Sequence, residues 1–160
     1  MLIERMNLNE CDDLLARVGF GRLACVHNNR PYVVPIYFGH RPGRLYGFAA
    51  LGPKIEWMRS NPSVCVQADE IAAPDDWMSV VVNGRYEELP DSAEHSQNRT
   101  WVLSLLDARS PSWRVAFAAS QVRSHPYRHP PVFYCIHIEA LSGVRGSPGD
   151  RIVETLRLRA

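Results

Sequence analysis

A chain of 160 residues, 46% hydrophobic and 22% charged, has globular composition and is long enough to bury a core without disulfide staples. Its formal net charge of +1 at pH 7 excludes the strongly basic surface that sequence-independent nucleic-acid binding requires. No apolar run approaches the ~18 residues of a membrane-spanning helix. Glu4 falls where a secretion signal would need its apolar segment, so a cytoplasmic location is expected.

The first element reads as a helix. Asn7 suits the N-cap, and Glu10 three residues on completes a capping-box pattern. Leu8, Cys11, Leu14, Leu15 and Val18 recur at helical spacing, and Gly19 and Gly21 end it. Strands follow at Arg22–His27 and Pro31–Phe38, joined by Asn28-Asn29, residues that tolerate positive φ. Pro35 within the second strand predicts an edge, a bulge or an unpaired backbone group. After the turn Arg41–Arg44, Leu45–Ala49 is a third strand, and the three are expected to form a meander. Leu51-Gly52-Pro53 breaks the chain, and a short helix runs from Pro53 to Arg59, with proline suited to its first turn.

Asn61-Pro62 ends that helix and Ser63–Ala68 forms a fourth strand. The loop 72–76 leads into a long fifth strand, Trp77–Leu89, where Gly84 predicts a bulge. A helix starts at Asp91–Glu94, with Trp101, Leu103, Leu105 and Leu106 on its apolar face, and a second helical stretch covers Trp113–Ala119. Val132–Ile138 is the sixth strand. Residues 1–142 are read as one domain and 143–160 as a tail, mobile or docked on a partner subunit. Short consecutive strands with hairpin turns point to a small antiparallel barrel.

Cys11, Cys25, Cys65 and Cys135 are widely spaced, without a Cys-x-x-Cys pair, and read as reduced thiols. Among the six histidines, Pro126 and Pro130 keep His125 and His129 off a common helix face. Cys135 and His137 share a strand face, but no closed metal-ligand set of standard spacing is present and no metal is expected. Gly-x-Ser-x-Gly and Gly-x-Gly-x-x-Gly are absent. Lys54 is the one lysine among eighteen cationic residues. It follows Gly52-Pro53 in the first turn of a helix, where exposed amides and the helix dipole attract anions, so it is a candidate phosphate ligand. The alternative is an ordinary solvated lysine. Val33–Tyr37 is a strand against which a flat cofactor could lie, or simply a core strand.

Gly19–Ala24, Pro31–Ile36, Leu45–Ile55, Asn61–Cys65 and Ser79–Arg85, taken in order, resemble the pyridoxamine 5'-phosphate oxidase-like split-barrel family, in particular its nitroimidazole-resistance-like branch. The resemblance implies a mainly β protein with flanking helices, a six-stranded antiparallel split β-barrel. It implies a homodimer with FMN, or FAD, in clefts at the interface. Carried onto this chain, Val33, Val34, Pro35, Ile36 and Tyr37 would line the flavin ring. Phe48, Ala49 and Ala50 would follow the ribityl chain, and Gly52 and Lys54 would hold the phosphate. Ser79 and Val80 would meet the cofactor from the long strand, and Trp113 would cover it from the partner subunit. The family often has His where Phe48 stands, so chemistry needing that His is not expected. The basic pocket of true pyridoxamine phosphate oxidases has no clear counterpart, so vitamin B6 oxidation is not expected either. The reading is a flavin-dependent oxidoreductase acting on a small molecule. The rivals are a non-enzymatic flavin store or sensor and a haem-binding split barrel with His137 or another histidine as axial ligand.

Overall fold

The computed structural model describes residues 1–109 and 130–149. In chain order the elements are β1 (Leu2–Met6), α1 (Leu8–Val18), β2 (Phe20–His27), β3 (Arg30–Tyr37), β4 (Gly39–Arg41) and β5 (Arg44–Ala49). They continue with α2 (Pro53–Ser60), β6 (Ser63–Ala73), β7 (Asp76–Leu89), α3 (Ser96–Arg109) and β8 (Val132–Ser147). The strands form one antiparallel sheet in the order β3-β2-β6-β7-β8-β5-β4, with β1 added on β8. Its two edges, β3 and β4, are separated in the chain by Phe38 alone. A single residue spans only ~3.5 Å. The sheet must therefore curl until its edges meet, which makes it a barrel. Phe38 lies at this seam, 1% exposed, its amide donating to the Gly19 carbonyl at 3.0 Å.

The local chemistry explains the elements. Asn7 and Glu10 cap α1 reciprocally: each backbone amide donates to the other's side chain, at 2.7 and 3.0 Å. Gly19 ends the helix in the left-handed conformation, φ 57°. Cys11, Leu14 and Leu15 bury the inner face of α1 completely. Asn28 and Asn29 both take positive φ, the two-residue turn whose twist matches a hairpin, here β2–β3. Inside the barrel, Leu23, Leu45, Ile55, Met58, Val66, Val80, Val82 and Ile136 form the main core. A second cluster, around Tyr46, Leu89, Val102 and Phe133, has Trp101 and Leu103 of α3 against it.

Several expectations are corrected. Eight strands are described, not six, although the split-barrel class stands. β1 carries too many charges to show in the sequence, and it exists because its backbone pairs with Gly143–Ser147. Those same residues belong to β8, so the tail does not begin at 143, and its remainder from 150 lies outside the described residues. The first three predicted strands are not a meander: β5 lies beside β8 rather than β3. The predicted loop 72–76 shrinks to Pro74-Asp75, because β6 and β7 extend as a hairpin. The helix expected from Asp91 starts at Ser96, the preceding residues forming turns. The stretch Trp113–Ala119 lies outside the described residues. The bulge at Gly84 is present, as a register shift between Asn83 and Gly84.

Candidate cofactor-binding site

Lys54 stands in the first turn of α2, after Gly52 and Pro53. Gly52 has no side chain to cap the helix, and its carbonyl accepts from the Glu56 amide at 3.1 Å. A Cβ placed at Gly52 would meet nothing within 4 Å, so there is open space at this helix end. The Lys54 side chain is half-buried, and among the described residues it has no hydrogen-bond acceptor or anionic partner. Burial pulls its pKa below the ordinary lysine value, partly opposed by the nearby Cys25 thiol. A desolvated ammonium without a counter-charge is unfavourable. An anion at this helix end would gain from the ammonium and from the unpaired amides together.

The position of α2 is set by its other face. Ile55 and Met58 are fully buried. Trp57 stacks on His27 and meets Tyr32 edge-on, each at 5.4 Å between ring centroids. Trp57 thereby ties the helix to the end of the β2–β3 hairpin, and the first turn brings Lys54 near Cys25 of β2. β3 being an edge accounts for Pro35, which faces Arg22 across the pair.

The predicted contact residues divide by sheet face. Val33 (59% exposed), Pro35 and Tyr37 (45%) point outward and leave an accessible surface. Val34 and Ala50 are half-buried. Ile36, Ala49 and Val80 turn their side chains into the core, so only their main chain could reach a ligand. Phe48 is half-buried, its ring 5.9 Å from that of Phe133. Trp113 lies outside the described residues.

Ser79 lies on the outward face of β7, opposite Asp69 and Val144. It borders a groove of about 570 Å³ shared by β1, β7 and β8, lined also by Arg5, Val81, Ser142 and Val144. Beside it runs a polar network the sequence reading missed. Gln67 Nε2 donates to Ser79 Oγ at 3.0 Å and to Asp69 Oδ2 at 2.9 Å, and Arg22 Nη1 donates to Gln67 Oε1 at 3.3 Å. The only signal in the sequence is that Gln67 and Asp69 alternate with the apolar Val66 and Ala68.

His137, the alternative haem ligand, has its imidazole Nε2 in contact with the Glu87 carboxylate. Among the described residues no cluster of three or more His, Cys, Asp or Glu could hold a metal. No described helix is long and apolar enough to cross a membrane. The four cysteines are free, and burial raises the pKa of each, that of Cys135 to about 11. Thiols held protonated in this way are poor nucleophiles.

The chain is thus a split barrel with a half-buried lysine at an open helix start. Residues 7–145 match the pyridoxamine 5'-phosphate oxidase family, and the chain belongs to that family. An uncharacterized protein of Rhizobium meliloti is 35% identical over 150 residues, covering 94% of this chain and 99% of that protein. A solved structure of an FAD-binding protein from Mesorhizobium loti is 40% identical, with a TM-score of 0.79, over 92% of this chain and 99% of that one. An FAD-binding protein of Mycobacterium smegmatis, 18% identical with a TM-score of 0.61 over 92% of this chain and all of that one, shows the shared fold.

Proposed function

We propose that this chain is a flavin-binding protein, with FMN as its cofactor and FAD as the alternative, acting as a homodimeric oxidoreductase on a small molecule. The observation that carries this reading is Lys54, a desolvated cation without an anion among the described residues, at an open helix start near Cys25 of β2. The 40% identical relative described as FAD-binding supports a flavin and keeps FAD in view.

In this reading Lys54 and the amides beyond Gly52 hold the phosphate. Phe48, Ala49 and Ala50 run beside the ribityl chain. The outward side chains of Val33, Pro35 and Tyr37 and the main chain of Val34 and Ile36 flank the ring, with Ser79 and Val80 meeting it from β7. Bound flavin supplies hydride or electron transfer, while the protein supplies orientation and exclusion of water. A second reading, non-enzymatic flavin storage or sensing, is favoured by Phe48, which cannot move a proton. Haem binding has less support, since His137 is already engaged by Glu87.

The test is the visible spectrum of the purified protein, followed by heat release and mass analysis of the ligand. Two broad flavin bands and released FMN or FAD support the proposal. A single intense haem band, or a colourless protein that takes up no added flavin, overturns it. Turnover of a pyridine nucleotide or electron acceptor separates the enzyme from the store.

A further inference from the structure

We propose that Gln67 is a positioning residue that commits the Ser79 hydroxyl proton to an acceptor atom on the bound flavin ring. This inference rests on the flavin reading above.

The orientation of the Gln67 amide is determined by its surroundings. The Asp69 carboxylate on one side can only accept, and the Arg22 guanidinium on the other can only donate. The NH2 group must therefore face Asp69 and the carbonyl must face Arg22. The same NH2 group donates to Ser79 Oγ at 3.0 Å, so Ser79 is an acceptor in that bond. Its own proton has no acceptor among the described residues.

Ser79 also borders the 570 Å³ groove, where that proton is available to a ligand. A free serine hydroxyl rotates and serves as donor or acceptor alike. Held by Gln67, it is biased to donate, and the group it suits is a ring carbonyl or an unprotonated ring nitrogen. The flavin pyrimidine edge carries both.

Gln67→Glu reverses the polarity, because a carboxylate takes the Ser79 proton for itself. Losing one donated hydrogen bond should raise the FMN dissociation constant about tenfold and shift the visible bands of the bound flavin. Ser79→Ala should weaken binding by a similar factor, and adding Gln67→Glu to it should cost nothing more. A merely structural role for Gln67 would make the two losses additive. Asp69→Asn provides a second variant with little change of shape. It removes one of the two groups that orient the amide while Arg22 still holds the carbonyl, and should weaken FMN binding in the same direction but less.

FMN titration by fluorescence quenching reads wild type and the four variants, with thermal melting to show that each is folded. Wild-type binding with a tenfold loss in Gln67→Glu, absent in the Ser79→Ala background, supports the proposal. Wild-type binding with additive losses, or with neither Gln67→Glu nor Asp69→Asn differing from wild type, overturns the proposal and leaves the flavin reading intact. A wild-type protein that binds no flavin overturns both.

Discussion

Lys54 faces two opposed demands. In the ligand-free chain its lowered pKa means that the charged form is destabilised by folding. That cost is present while Lys54 is protonated, and is relieved as pH rises through its folded pKa toward the ordinary value of 10.5. Phosphate binding needs the charge, so flavin affinity runs the other way: full below the pKa of Lys54 and lost as pH rises through it. Lys54→Met separates the two effects. FMN binding should weaken roughly tenfold to a hundredfold, the loss expected of a charge-assisted contact, while the melting temperature of the ligand-free protein stays level or rises. Titration and thermal melting on one preparation check both. Tyr134 is a second such polar group: its hydroxyl is buried with no hydrogen-bond partner among the described residues, and burial raises its pKa. Tyr134→Phe should be neutral or stabilising by about 1 kcal/mol, read by urea denaturation. Lys54 was legible in the sequence as the only lysine at a Gly-Pro helix start. Gln67 was not, because its role comes from Arg22 and Asp69, and Arg22 is brought to it only by strand pairing.

At the scale of elements, hairpins and caps were legible and long-range pairing was not. Asn7, Glu10 and Gly19 delimit α1 through bonds within a few residues, and Asn28-Asn29 needs only its own two dihedral angles. By contrast β1 and the end of β8 support each other across more than 130 residues of sequence. Neither has the period-2 pattern that would reveal it alone. The β7–β8 pair makes a sharp test. At the bulge, a Cβ on Gly84 would sit 2.4 Å from the His137 carbonyl oxygen, which belongs to the backbone and cannot rotate away. Gly84→Ala should destabilise the fold by about 1–3 kcal/mol, seen as a lower urea midpoint with an unchanged slope.

For the whole molecule, the outward face of the sheet leaves Phe20, Val26, Val33, Tyr37 and Val144 exposed. Phe20, Val26, Val33 and Tyr37 share the outward face of the β2–β3 pair, an apolar patch of the kind found at interaction surfaces and in keeping with the proposed homodimer, whereas Val144 lies beyond the polar Gln67–Ser79 network. Val33→Asp places a charge in the middle of that patch. If two copies meet there, sedimentation should show a dimer for wild type and a monomer for the variant, with FMN binding weakened alongside. Wild type sedimenting as a monomer at micromolar concentration would rule out the dimer.

The sequence by itself determined the family, the strand-rich class, the caps and turns, and the lysine singled out for an anion, since all of these rest on local chemistry or on an ordered series of motifs. Only the tertiary structure decided which strands are edges, and that β3 and β4 meet at Phe38 to close the barrel. It also decided which predicted contacts face outward: Val33 and Tyr37 do, whereas the side chains of Ile36 and Val80 are spent on the core. The physical reason is that in a strand each residue's side is set by alternation, but which side is inside is set by partners far away in the chain.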